Sequence, residues 1–359
     1  MEDLRRAVEF LSSFPTRHAC SRYAASAADW ITVELASIPG MRVEQMNVRL
    51  VEGPRIPFDT DGVQILGVLP GSDPEMIGVG GHLDTINMSN PRSLDLEAPG
   101  ANDDASGIAA MLRSARRWAE KPRRKTGLFV AFTAEEQGLL GAKALAARMI
   151  EENWPLEAFL NLDMISNTGA ADMETNDREV RVYSNDHSRE LARYAASAPF
   201  RLMEKEAGES EIDVKMVLRP DRIRRGGDHT PLAQAGFRAI RFTEALERYE
   251  VQHTPHDTVD HVDFGYLARV ADLVANLACT LGDAQPSPAN VRATRNGQGT
   301  LLTWKGDPEQ EMFALWRDTR SAEWTRYLPV RGLAAALPLN LDDHEFAIGS
   351  GGVPVASET

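Results

Sequence analysis

From residue 1 to residue 282 the chain alternates two textures. Short apolar runs bounded by Gly, Pro and Asn read as buried strands; longer stretches with an apolar residue every third or fourth position read as helices. Leu4, Val8 and Leu11, then Ala24, Ala27, Trp30, Ile31 and Leu35, predict helix from the start to about residue 40. Arg42–Val48 alternates as a half-buried strand does, and Val63–Leu69 follows it, closed by Pro70-Gly71. Met76–Gly81 is short and apolar, a buried strand ending at His82. Leu128–Phe132, Phe159–Leu162, Val214–Leu218 and Ala239–Phe242 repeat that pattern. Helical spacing returns in Ser106–Glu120, with Asp104 and Ser106 as candidate N-caps, and in Leu139–Glu152, Ser188–Ala198 and Phe264–Leu281. This alternation predicts an α/β fold with a mostly parallel central sheet flanked by helices.

The texture changes after residue 282. Asp283-Ala284-Gln285-Pro286-Ser287-Pro288 reads as a linker. Residues 289–359 carry short alternating runs at 290–294, 300–304, 313–317 and 344–348 and no helical period. They predict a small C-terminal β-sandwich, with Trp304 and Trp316 in its core.

Composition narrows the partners. The 359 residues are 43% hydrophobic and 26% charged, with a formal net charge of -14. Nucleic-acid binding wants a basic face, so no nucleic-acid partner is expected. The acidity reads as a solvated surface. No segment approaches the roughly 18 apolar residues of a membrane span, so none is expected. The opening Met1-Glu2-Asp3-Leu4-Arg5-Arg6 lacks a basic region followed by an apolar one. No signal peptide is therefore visible, and export is expected only if a leader has been removed. Cys20 and Cys279 lie far apart and read as free thiols.

The candidate chemistry gathers at the strand ends. It comprises Gly80-Gly81-His82-Leu83-Asp84-Thr85, Pro99-Gly100-Ala101-Asn102-Asp103-Asp104-Ala105-Ser106-Gly107, Ala134-Glu135-Glu136-Gln137-Gly138, Asn161-Leu162-Asp163-Met164 and Gln252-His253-Thr254-Pro255. Each alone has a bland reading: a structural histidine, a turn with an N-cap, a solvated pair of glutamates. Together they place His and Asp/Glu donors beyond the carboxyl ends of strands, where open α/β sheets hold their sites. A metal that activates water needs such donors on several strands, with a base nearby.

On these motifs the chain resembles the M28-type zinc exopeptidases, a family that includes di-zinc aminopeptidases. The resemblance implies the zinc-exopeptidase fold and two Zn²⁺ per chain. His82 and Asp163 would hold one ion, Glu136 and His253 the other, and Asp103 would bridge them. Glu135 would be the general base, and Asp84 would stand behind His82 and orient its ring. Asp104 would shape the turn, through a cis peptide bond after Asp103. Ions about 3.5–4 Å apart share and acidify a water. The implied substrate is a peptide with a free N-terminus. Alternatives on the same scaffold are a zinc carboxypeptidase or dipeptidase, a one-zinc glutaminyl-cyclase-like acyltransferase, and a non-catalytic binding protein. The carboxypeptidase reading needs a cationic pocket, for which Arg222, Arg224 and Arg225 are candidates.

Three details qualify the resemblance. The family places the last ligand before Thr-Pro, which selects His253 over His256. Gly227 stands where the family commonly has Ser in the segment Arg224–Pro231, leaving Asp228 and His229 as pocket or structural residues. Many relatives carry a Tyr, placed to donate to the tetrahedral intermediate, where this chain has Gln252; Tyr249 lies nearby. The C-terminal part resembles a fibronectin type III-like module.

Overall fold

The N-terminal apolar periodicity belongs to two helices, not one. Pro15 bars continuation of α1 (Glu2–Ser12). Ser21 starts α2 (Arg22–Ala36), its hydroxyl accepting the Ala24 N–H at 3.1 Å. The computed structural model describes residues 1–169, 174–196, 212–219, 226–285, 288–319, 326–350 and 357–358. The chain divides into two units, Met1–Asp283 and Ala284–Thr359.

The first unit is built on one sheet. Its strands are β1 (Arg42–Leu50), β2 (Thr60–Leu69), β3 (Met76–His82), β4 (Thr126–Phe132), β5 (Leu156–Leu162), β6 (Glu179–Tyr183), β7 (Asp213–Val217) and β8 (Ala239–Glu244). Their order is β1-β2-β4-β3-β5-β8-β6-β7. The pairs β4–β3, β3–β5, β5–β8 and β6–β7 are parallel, whereas β1–β2, β2–β4 and β8–β6 are antiparallel. The sheet is therefore mixed, parallel at its centre. Strand β6 was not predicted because it spans only five residues, although Glu-Val-Arg-Val-Tyr alternates as a half-buried strand does and buries Val180 and Val182. Of the predicted helix Ser188–Ala198, Arg189–Ala195 is helical (α5), and residues 197–198 lie outside the described residues.

Successive residues of a strand face opposite sides, and both sides of the sheet are covered. Leu128, Val130 and Phe132 pack with Phe159, with Leu145 and Met149 of α4 (Leu140–Glu151) and with Leu232 of α6 (His229–Gln234). On the other side Phe129 meets Trp118 of α3 (Ser106–Ala119), edge to face. Helix α3 packs along α7 (Phe264–Asp283). Contrary to the sequence expectation, α7 is long and apolar enough to cross a membrane. Its apolar residues are mostly buried inside this unit, as those of a core helix are.

Glycines let the central strands approach the site. A Cβ at Gly78 would stand 2.2 Å from the Phe159 ring, and one at Gly81 would stand 2.6 Å from Asp104 Oδ2. Gly107, in the first turn of α3, is tighter than Gly81: its Cβ would meet both Asp104 carboxylate oxygens, at 2.4 and 2.5 Å, and Leu162 O at 2.6 Å. Gly107→Ala is expected to lower stability by about 1–3 kcal/mol through overpacking. Urea unfolding monitored by circular dichroism checks this, and an unchanged midpoint would refute it.

The second unit contains two antiparallel sheets. One has the order β13-β10-β9 and the other β12-β11-β14-β15, from β9 (Ala289–Asn296), β10 (Gly299–Lys305), β11 (Met312–Asp318), β12 (Arg326–Val330), β13 (Ala334–Leu337), β14 (His344–Ser350) and β15 (Ser357–Glu358). Leu302, Trp304, Met312, Ala314, Leu337, Phe346 and Ile348 form its core, with Trp316 partly buried against them.

Candidate metal centre

Because β3, β4, β5 and β8 run parallel, their carboxyl ends lie along one edge of the sheet, and the segments that follow them converge. His82 ends β3, Glu135 and Glu136 follow β4, and Asp163 follows β5. Asp103 comes from the turn before α3, where the Asp103–Asp104 peptide bond is cis. His253 comes from the segment after β8. Ala134, Met164 and His253 all have left-handed backbones, with φ of 55°, 55° and 59°. Non-glycine residues persist there when their surroundings hold them, and they cluster at functional sites.

The predicted donors meet. His82 Nε2 lies 3.0 Å from Asp103 Oδ1 and 3.9 Å from Asp163 Oδ1. His253 Nε2 lies 3.1 Å from Asp103 Oδ2 and 2.9 Å from Glu136 Oε1. Asp103 thus presents one oxygen to each histidine. Donor atoms within each of the groups His82/Asp103/Asp163 and Asp103/Glu136/His253 lie within 4.8 Å of one another, as do those of His82/Glu135/Glu136. His82, Asp103, Glu136 and Asp163 are buried, while His253 and Glu135 are half-buried. His256 is exposed.

Buried carboxylates behind these donors tie the segments together. Asp104 Oδ2 accepts the His82 N–H at 3.0 Å, and Oδ1 accepts those of Gly107 at 2.9 Å and Met164 at 3.3 Å. The N-cap position of α3 is Ala105 and not the expected Asp104 or Ser106; Asp104, one residue before it, still takes the Gly107 N–H of the helix's first turn. Asp257 accepts the N–H groups of Asn102 and Asp103, each at 2.9 Å. Glu244 accepts from Asn102 Nδ2 and the Asn167 N–H. The reading of Asp84 needs correction. The His82 ring is oriented by the Asp84 carbonyl, 3.0 Å from Nδ1, while the nearer carboxylate oxygen is 3.9 Å away. The Asp84 carboxylate instead accepts the N–H groups of Glu135 and Glu136, both at 3.1 Å. It positions the β4 turn, because two backbone donors there align better with it than the ring does.

Glu244 was missed, and Asp257, which lies in the motif His253-Thr254-Pro255-His256-Asp257-Thr258, was given no role. Also missed was Arg241, a charged residue in the buried run of β8. Its Nε lies 3.2 Å from Asp163 Oδ2, on the strand that pairs with β5. Gly227 packs against the same carboxylate, since a Cβ there would stand 3.0 Å from Asp163 Oδ2. Asp228 and His229 are both buried. Gln252 Nε2 donates to Asp103 Oδ2 at 2.8 Å, and Tyr249 is exposed. Arg222, Arg224 and Arg225 lie outside the described residues.

The electrostatics fit a cation. Burial pushes the carboxyls of Glu135, Asp163 and Asp228 above the usual range, despite His82, and raises Asp84 to about 6. Burial opposes charge on His253, but Glu136 and Asp103 outweigh it and raise its pKa to about 11. So many desolvated carboxylates facing two imidazoles call for a bound positive charge, and the mixed imidazole and carboxylate donors suit zinc.

Comparison with known proteins gives a consistent result. A sequence model described as Peptidase family M28 matches residues 64–278. A protein of Pyrenophora tritici-repentis named "Probable zinc metalloprotease" is 32% identical, over 92% of this chain and 86% of its own length. A counterpart from Leptosphaeria maculans is 30% identical, over 96% and 90%. The aminopeptidase LapA of Legionella pneumophila shares the fold with a TM-score of 0.63, at 19% identity over 79% of this chain and 72% of its own. BSAP, a zinc aminopeptidase from Bacillus subtilis, does so with a TM-score of 0.61, at 17% identity over 78% and 95%.

Proposed function

Since the chain belongs to peptidase family M28, and is a metallopeptidase of that family, we propose that it is a co-catalytic di-zinc aminopeptidase that removes N-terminal residues from peptides. The observation that carries this reading is the Asp103 carboxylate, shared between His82 and His253, with Glu135 close to His82 and Glu136. Two ion positions would then have a common ligand: His82 and Asp163 on one side, Glu136 and His253 on the other. Zinc bound there would supply a Lewis acid for the scissile carbonyl and acidify the attacking water. Glu135 takes the water's proton and returns it to the departing amine. Its backbone is held by Asp84, so the carboxylate is offered from a fixed turn. The surrounding carboxylates attract the substrate's N-terminal ammonium and disfavour a C-terminal carboxylate at the same place. Gln252, through its bond to Asp103 Oδ2, would help fix the bridging carboxylate, and the same amide nitrogen carries a second N–H.

Peptides with free or acetylated N-termini, incubated with the zinc-loaded protein and read by mass spectrometry, test the reading. Stepwise loss of N-terminal residues from the free set alone is expected. Loss from the C-terminus would replace it with a carboxypeptidase. Metal analysis after dialysis is expected to give two zinc ions per chain, and chelation should abolish turnover until zinc is restored. One ion per chain, with cyclisation of N-terminal glutamine, would move the assignment to the acyltransferase.

A further inference from the structure

Arg55 is held at the edge of the candidate metal centre by a turn built for rigidity. Gly53 and Ile56 exchange backbone hydrogen bonds across it, at 2.9 and 3.3 Å. The Arg92 guanidinium donates to the carbonyls of Gly53 and Pro57, and pairs with Glu52. His18 is fully buried beneath. Its Nδ1 accepts the Cys20 N–H, which leaves Nε2–H to donate to the carbonyls of Arg55 and Pro91. The turn is thereby tied to the segment 87–97, whose Met88 N–H reaches the His253 carbonyl.

From this turn Arg55 Nη1 donates to the Glu136 carbonyl at 2.5 Å, so the guanidinium is tied to the backbone of a candidate ligand residue. Among the described residues no carboxylate lies within ion-pair distance of Arg55, whereas Arg92 beside it has Glu52. A guanidinium has five N–H donors in a planar fork, the shape that binds a carboxylate through two parallel bonds. Here one donor is spent on positioning and the side chain is half-buried.

We propose that Arg55 binds the C-terminal carboxylate of dipeptide substrates, so that the enzyme prefers dipeptides to longer chains. The proposal rests on the aminopeptidase reading and specifies its substrate class. In a dipeptide the free carboxylate lies one residue beyond the scissile bond, about 3.3–3.6 Å in extended chain. A cation tied to the backbone of the residue next to the general base is placed to meet a charge that close to the scissile bond. The acidic cluster takes the ammonium end of such a substrate and Arg55 takes the other, so chain length is read by the separation of two opposite charges.

The test compares a dipeptide with its C-terminal amide on the zinc-loaded full chain. The same acid and amide pair, made as a reduced-bond isostere that cannot be cleaved, is measured by calorimetry. The wild type is expected to prefer the acid in both assays. Arg55→Gln should lower the acid-to-amide ratio of kcat/KM about 10–100-fold, as the loss of a charge-assisted contact does. The change should fall on KM, Arg55→Lys should recover part of it, and zinc content should not move. Equal losses for acid and amide would make Arg55 a prop for Glu136 and overturn the proposal, as would a wild type indifferent to the carboxylate in both assays. If nothing is cleaved but the isostere acid still binds better and Arg55→Gln erases that preference, the aminopeptidase reading falls and the carboxylate site stands.

Discussion

Glu135→Gln is expected to lower kcat by roughly 10²–10⁴-fold, the usual contribution of a positioned acid–base group, and to leave zinc content unchanged. The substitution is nearly isosteric, and the Glu135 backbone is fixed by the Asp84 carboxylate whatever side chain it carries. Glu136, the neighbouring donor, keeps its own bond to Asp84 and its approach to His253. The amide cannot accept the water's proton, so the loss should fall on kcat with KM little moved. Turnover on a free N-terminal peptide and metal analysis of the same sample provide the check. Retained activity would remove Glu135 from the mechanism. Loss of zinc together with activity would make it a ligand, a role the proximity of His82, Glu135 and Glu136 also permits.

The donors at the strand ends were legible in the sequence because each sits where an apolar run stops. His82 follows Met76–Gly81, Glu135 follows Leu128–Phe132, and Asp163 follows Phe159–Leu162. Strand register then does the rest, since parallel neighbours bring those ends to one edge. What supports the donors was not legible in the same way. Asp257 and Glu244 act on backbone amides more than 75 residues away in the chain. A carboxylate that satisfies buried N–H groups carries no local signature. Asp84 shows the limit from the other side. Its place one residue after Leu83 suggested the His82 ring, but the amides of the β4 turn, 51 and 52 residues on, compete for its oxygens and win. The antiparallel flanks of the sheet were likewise hidden, because strand direction depends on the path of the connections and not on the strand's own residues.

Asp104→Ala is expected to be among the most destabilising changes in the first unit. The side chain is fully buried and closes three bonds to backbone donors on separate segments: His82 at the end of β3, Gly107 in α3, and Met164 beside Asp163. Each buried donor left without a partner costs on the order of 1–3 kcal/mol, against a total stability of about 5–15 kcal/mol for an ordinary domain. Urea unfolding should show a loss of several kcal/mol, and zinc should bind more weakly, since His82 and Asp163 both lose an anchor. The glycines give the sharper test. Gly81 and Gly107 lack a Cβ where Asp104's oxygens would meet it, so the three residues form one packing unit. Gly107→Ala should therefore cost less in an Asp104→Ala background than alone, although the Leu162 carbonyl keeps it from being free. Additive losses in that double-mutant cycle would show that the glycines are not there to admit the carboxylate. A positive coupling would mean that the Gly-Gly before His82 and the Gly after Asp103-Asp104 form a single device: two close approaches that let one buried carboxylate hold the metal-site strands together.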